Sequence, residues 1–211
     1  MADSTLEQRL QNLQHENQTL RQEVERLRSE NKRWARLAGT DTLTGLPNKI
    51  SFLRALVPQA VKSVAQTKKA IGFILLSADN LGPINEAHGR IAGDQVLKGL
   101  GEFLKTILPE ELKLGHIDGS NFAIVMPGAP LEDVKARANM LRARIPSHTF
   151  TCGKTIAKIT ASTGIVSLIP QQNTDEKKWL ETLFGHLNEA LYKAKSSGGN
   201  QVQTVTNTDI P

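Results

Sequence analysis

The chain has 211 residues, 39% of them hydrophobic, and 26 Lys and Arg against 21 Asp and Glu give a formal charge of +5. This length suits one globular domain with an appendage and leaves room for a core. The longest apolar run, Ile71 to Leu76, is far below the roughly 20 residues a spanning helix needs, so no membrane insertion is expected. The polar N-terminus carries no signal-peptide pattern. Cys152 stands alone, which excludes a disulfide framework or cysteine metal cluster, and with the features above this leads to the expectation of a bacterial-type cytoplasm or a generic intracellular setting. The positive balance does not make a nucleic-acid binder. The first 38 residues hold seven Lys/Arg and six Asp/Glu, a charge-paired helix face, and six Phe, two Trp and one Tyr are too scattered to form a stacking platform.

The first predicted element is a coiled-coil dimerisation helix over 4–38. Leu6, Leu13, Leu20, Leu27 and Trp34 recur every seven residues, and Leu10, Asn17, Val24, Asn31 and Ala38 form the companion series. These are the d and a positions of a heptad repeat. Ser4 and Glu7 read as a capping box at its start, and Gly39 as its stop. Asn17 and Asn31 at a positions favour a parallel two-stranded register, and Glu16 with Arg21 and Glu23 with Arg28 are complementary g–e pairs between copies. A homodimer through this helix is therefore expected. The alternative is a helix packed on its own domain, but the a/d stripe is narrower than a globular core requires.

Residues 40–205 read as one α/β domain, followed by a disordered tail at 206–211. A helix is predicted over 47–66 and a strand buried on both faces over 70–77. Helical periodicity runs over 84–107 with a break near Gly89. Residues 112–126 read as a hairpin, with Asp118-Gly119 as the turn signal. A helix over 131–144, a β-rich stretch over 155–168, a helix over 177–195 and an edge strand over 201–205 complete the pattern. This order implies a mixed sheet flanked by helices, related to the split βαβ plan.

Four blocks then resemble GGDEF domains, the cyclic di-GMP synthase fold. Asp41-Thr-Leu-Thr-Gly-Leu-Pro-Asn48 resembles the family's opening motif. Asn85-Glu-Ala-His-Gly89 through Gly93-Asp94-Gln-Val-Leu97 resembles the block that holds guanine. Asp118-Gly-Ser-Asn-Phe-Ala-Ile124 occupies the signature hairpin, and Ala190-Leu-Tyr-Lys-Ala-Lys195 with Gly198-Gly-Asn200 resembles the closing helix. The resemblance covers 41 to about 203 and implies a nucleotidyl cyclase-like fold.

The resemblance also implies what is missing. Active members hold metal ions on two carboxylates while the 3′-hydroxyl of each GTP attacks the α-phosphate of the other. The matching positions here are Ser77 and Ser120, and the acidic fourth signature place is Asn121. One unit-charge pair at 4 Å is worth about 4 kcal/mol at an effective dielectric near 20, which a neutral hydroxyl does not supply. Asp79 lies two residues beyond Ser77, on the same face by strand alternation, where it could compensate in part; the family matches it to an Asp that is not the usual ligand. No metal site, catalytic residue or cofactor is therefore expected. The hairpin itself survives: Asp118-Gly119 supplies turn chemistry, and Phe122, Ile124 and Met126 keep strand alternation.

Part of a nucleotide site remains. Asn85 and Asp94 match the guanine-reading pair and Lys195 a phosphate-contacting lysine, whereas Gly82 and Gly199 stand where a lysine and an arginine are expected. The structural alternative is that Asn85 caps a turn and Asp94 caps or ion-pairs a helix. The inhibitory Arg-x-x-Asp is replaced by Pro109, Glu110, Glu111 and Leu112, so product binding in that mode is not expected. His116 reads as a strand histidine, and the five histidines are too dispersed for a metal cluster. The leading expectation is a non-catalytic dimeric scaffold or regulator that acts through a protein partner in cyclic di-GMP-related signalling. A guanine-nucleotide sensor without turnover and a weak residual diguanylate cyclase are the alternatives.

Overall fold

The computed structural model describes residues 2–65, 67, 69–170 and 176–205, so the expected disordered tail at 206–211 lies outside them. The chain divides into two compact units, 1–39 and 40–211.

The first unit is one helix, α1 (Ala2–Gly39). The side chains of Ser4 and Glu7, read as a capping box, lie outside the described residues. Along the heptad seam Leu13, Leu20, Val24 and Leu27 are 61%, 58%, 44% and 50% exposed, an apolar stripe along the helix. Asn17 lies on the same stripe and is exposed. The side chains of Leu6, Leu10, Asn31 and Trp34 lie outside the described residues. Glu23, assigned above to Arg28 of a second helix, pairs with Arg26 at 2.6 Å, and Arg26 also reaches Glu30 at 2.8 Å. Such i,i+3 and i,i+4 pairs are the local option when no partner helix is present.

The second unit is a five-stranded sheet in the order β2-β3-β1-β6-β7. Its strands are β1 (Ile71–Ala78), β2 (Lys113–Asp118), β3 (Asn121–Pro127), β6 (Ala161–Leu168) and β7 (Val202–Thr204). β1 runs antiparallel to both β3 and β6, while β7 pairs parallel with β6, so the sheet is mixed. Every residue of β1 is buried, as expected of an apolar run at the centre of a sheet covered on both faces.

The pleat sorts side chains between two cores. Ile74, Leu76, Phe122, Ile124 and Ile165 face one, which is closed by α5 (Arg90–Ile107) and α6 (Leu131–Arg144). Phe73, Leu75, Ala123, Val125 and Val166 face the other, closed by the helical stretch 49–65 and α7 (Glu176–Ser196). That stretch consists of α2 (Lys49–Ser51), a π-helical segment (Phe52–Leu56) and α3 (Val57–Ala65). α7 approaches β6 closely at Gly164, where an added Cβ would lie 2.3 Å from the Leu187 carbonyl oxygen.

The predicted break near Gly89 falls between α4 (Leu81–His88) and α5. Gly89 has φ +81, a backbone that ends one helix and admits the next. A two-stranded hairpin joins β4 (Phe150–Cys152), which the sequence pattern does not mark, to β5 (Thr155–Ala157), which falls within the β-rich stretch expected over 155–168. Three residues per strand are too few for alternation to register.

Candidate functional site

The site is built where the C-terminal end of β1 meets the β2–β3 turn and the segment after α7. Ser77 pairs across the sheet with Asn121 on one side and Ser162 on the other. The Ser77 and Ser120 hydroxyls are hydrogen-bonded to each other at 2.8 Å, and Ser77 is fully buried. The Ala78 amide donates to the Ser120 carbonyl at 3.1 Å, which fixes the turn against the strand end. These two positions are the ones the family resemblance assigns to metal carboxylates. Two neutral hydroxyls that occupy one another are a poor donor set for a hard divalent cation.

Asp79 is engaged in a different role. It lies past the end of β1, and both its oxygens accept hydrogen bonds: Oδ1 from the Ser162 hydroxyl at 2.8 Å, and Oδ2 from the Thr160 hydroxyl at 2.7 Å and the Asn200 amide at 2.9 Å. The Asp79 amide donates to the Thr160 carbonyl. The carboxylate is thus a latch between the segments before β6 and after α7, and the face-sharing expected from simple alternation ends with the strand.

The turn geometry differs from expectation at one residue. Gly119 has φ +44, while Asp118 keeps ordinary backbone and ends β2. The left-handed requirement therefore falls on Gly119. Asp118 accepts instead from the Asn121 side-chain amide at 2.6 Å, and Asn121 Oδ1 is buried with no hydrogen-bond partner. Phe122 is fully buried and anchors β3 beneath the turn.

His116, read from the sequence as an ordinary strand residue, braces this hairpin. It is 6% exposed, its Nδ1 lies 2.9 Å from Asp41 Oδ1, and its Nε2 lies 3.0 Å from the Gly119 carbonyl oxygen. Both neighbours are oxygen acceptors, so each ring nitrogen faces a group to which it can donate. Burial alone would raise the Asp41 carboxyl. Hydrogen bonds from the Thr44 hydroxyl and amide, joined by His116, outweigh it and hold the group below the usual carboxylate value. The opening motif and the signature hairpin are thereby tied together. The signal was the position of His116 just before the turn, but sequence alone did not reveal its partner.

The residues of the nucleotide reading fall in two places. Asn85 on α4 lies over Gly93 of α5, where an added Cβ would meet its Oδ1 at 2.0 Å, and Asp94 is the next residue of α5. Neither the Asn85 amide nor the Asp94 carboxylate has a side-chain hydrogen bond or ion pair among the described residues, so the capping and ion-pair alternatives find no partner here. Lys195, Gly82, Gly199, Asp79 and Ser120 line a separate open cavity of about 510 Å³. The inhibitory-site positions form the α5–β2 turn: the Leu112 amide donates to the Pro109 carbonyl, and Glu110 and Glu111 are exposed. Pro109 stands where the resemblance expects the guanidinium and Leu112 where it expects the carboxylate, with Glu110 and Glu111 between them.

The mixed sheet, the β2–β3 hairpin at the end of β1 and the α4–α5 pair define a nucleotidyl cyclase-like domain. The chain matches the sequence model of the diguanylate cyclase GGDEF domain over residues 38–201, and it belongs to that family. Among curated relatives, diguanylate cyclase DgcP of Pseudomonas aeruginosa is 29% identical over 92% of this chain and 28% of its own length. Diguanylate cyclase VdcA of Vibrio cholerae is 26% identical over 85% and 51%. Cyclic di-GMP phosphodiesterase PdeR of Escherichia coli is 28% identical over 78% and 24%. The chain thus spans from about a quarter to about half the length of these relatives. The fold is shared with the coiled coil and GGDEF domain of DgcB from Caulobacter crescentus, solved with c-di-GMP. There the TM-score is 0.75 at 23% identity, over 92% of this chain and 99% of that one. It is also shared with diguanylate cyclase SiaD of Pseudomonas aeruginosa, solved with its activator SiaC, at TM-score 0.70 and 20% identity, over 95% and 74%. Among the described residues no helix is long and apolar enough to cross a membrane.

Proposed function

We infer that this chain is a non-catalytic GGDEF module that works as a dimeric scaffold or regulator in cyclic di-GMP-related signalling. The observation that carries this reading is the 2.8 Å hydrogen bond between Ser77 and Ser120, which joins the two positions that should hold metal. Asp79, the nearest carboxylate, is already engaged by three hydrogen-bond donors that tie it to neighbouring segments. Without a metal to neutralise the triphosphate and activate the attacking hydroxyl, the family's reaction loses its main electrostatic support. SiaD, solved with its activator, supports protein-partner regulation as a theme for this fold. The test is incubation of purified protein with GTP and Mg²⁺ or Mn²⁺. No cyclic di-GMP above background is expected, and steady product abolished by Asp79→Ala would overturn the reading.

A second reading, a guanine-nucleotide sensor without turnover, is favoured by the unpaired Asn85 and Asp94. An amide and a carboxylate suit guanine's acceptors and its N1–H/N2–H edge. Calorimetry with GTP, GDP and ATP, with and without Mg²⁺, separates the two. A sensor binds both guanine nucleotides weakly and without metal dependence, and Asp94→Ala costs it about 1–3 kcal/mol. A scaffold shows no heat.

A further inference from the structure

The second core is not sealed at its hairpin end. Between the π-helical segment and α7 a groove of about 860 Å³ opens onto Leu75 and Ile117, within the size range of small-molecule sites. It lies on the opposite face of the sheet from the α4–α5 pair, and none of its lining residues belongs to the guanine-reading set. Leu53 on the π segment and Phe184 on α7 are its half-buried apolar walls. π-helical turns cost hydrogen-bond geometry and concentrate at functional sites, and this one places Leu53 and Arg54 on the groove.

The charges around the rim are asymmetric. Arg54 is exposed and has no hydrogen bond or ion pair among the described residues. Lys49 on the same side has only a loose 4.0 Å contact with Asp118, with both side chains more than half exposed. The carboxylates at the rim, Glu181 and Asp118, come from α7 and β2 instead. At the hairpin end, Asn121 lines the groove and carries the buried Oδ1 that lacks a donor, an unmet acceptor that calls for an explanation.

We propose that this groove binds a small anionic amphiphile. Its aromatic or aliphatic body rests on Leu53, Leu75 and Phe184, its acidic group meets Arg54 and Lys49, and an N–H or O–H donor sits toward Asn121. Apolar walls with a few convergent polar groups supply affinity and orientation respectively. The ligand would contact both strands of the signature hairpin, through Ile117, Asp118 and Asn121, so its occupancy is read out at the hairpin whether or not the domain binds nucleotide.

The test uses the full chain and anilinonaphthalene sulfonate, which combines an aromatic body, an anionic group and an N–H. A saturable fluorescence rise with one site per chain is expected. Arg54→Glu removes an exposed cation and leaves folding intact, checked by an unchanged melting temperature, and weakens binding on the order of tenfold. Leu53→Trp fills the groove and abolishes the signal. N-phenylnaphthylamine, which has the same body without the sulfonate, binds at least several-fold more weakly than the anion to the unmodified chain. The proposal is overturned by non-saturable fluorescence, by an affinity that Arg54→Glu leaves unchanged, by undiminished binding to Leu53→Trp, or by equal affinity for the neutral probe.

Discussion

At the scale of single residues, the acids of this domain act as braces. Asp79 receives three donors from two chain segments. Asp79→Ala should therefore cost about 2–4 kcal/mol in urea unfolding, because hydrogen bonds to a charged group are lost and their donors are left unpaired. A change within a few tenths of a kcal/mol would show that water replaces the latch. Asp41 leads to a pH prediction. Its folded pKa is lowered, with burial opposed and outweighed by Thr44 and His116. A depressed carboxylate contributes stability that is fully present above its unfolded value of about 3.9 and is lost as pH falls through the folded value. Asp41→Asn should thus be less stable than the parent at pH 7, and the gap should narrow in acid below about pH 4. Urea midpoints measured from pH 7 to pH 3 test this, and a constant gap would remove Asp41 as the titrating group.

At the scale of elements, what could be read from sequence followed the strength of local periodicity. β1, α5, α6 and α7 carry long apolar patterns and lie where expected, within a residue or two at their ends and with the α4–α5 break at Gly89. β4 and the π segment do not announce themselves, because the first is too short for a period and the second differs from an α-helix only in its hydrogen bonding. The candidate site divides the same way. The neutral residues at 77, 120 and 121 are visible in the sequence, whereas the Ser77–Ser120 bond, the Asp79 latch and the Asp41–His116 brace join residues 43 to 121 positions apart and need coordinates. Gly164 belongs to this class as well. α7 lies so close to β6 there that a Cβ would meet the Leu187 carbonyl at 2.3 Å and the Leu191 amide at 2.6 Å. Both obstacles are backbone, so the helix must move as a unit. Gly164→Ala should destabilise the domain by about 1–3 kcal/mol or more, and a neutral effect in urea unfolding would mean that α7 is seated less tightly than this contact requires.

At the scale of the whole molecule, the open question is what covers α1. A 38-residue helix is about 57 Å long at 1.5 Å per residue. Propensity alone gives such a helix only marginal stability in water. Leu13, Leu20, Val24 and Leu27 are half exposed or nearly so along one stripe, and Asn17 lies among them, which fits a parallel pair better than a globular face. The intact chain should therefore be a dimer by light scattering, and residues 40–211, which contain both cores, should be mostly monomeric. Because association and folding of the coil are linked, the melting temperature of α1 should rise with protein concentration. Asn17→Leu with Asn31→Leu exchanges two register-setting amides for leucines. It should raise that melting temperature while broadening the distribution of oligomers, since buried polar a positions trade stability for choice of partner number. A truncated domain as dimeric as the whole chain would place the interface on the domain instead. α1 would then need a partner of another kind.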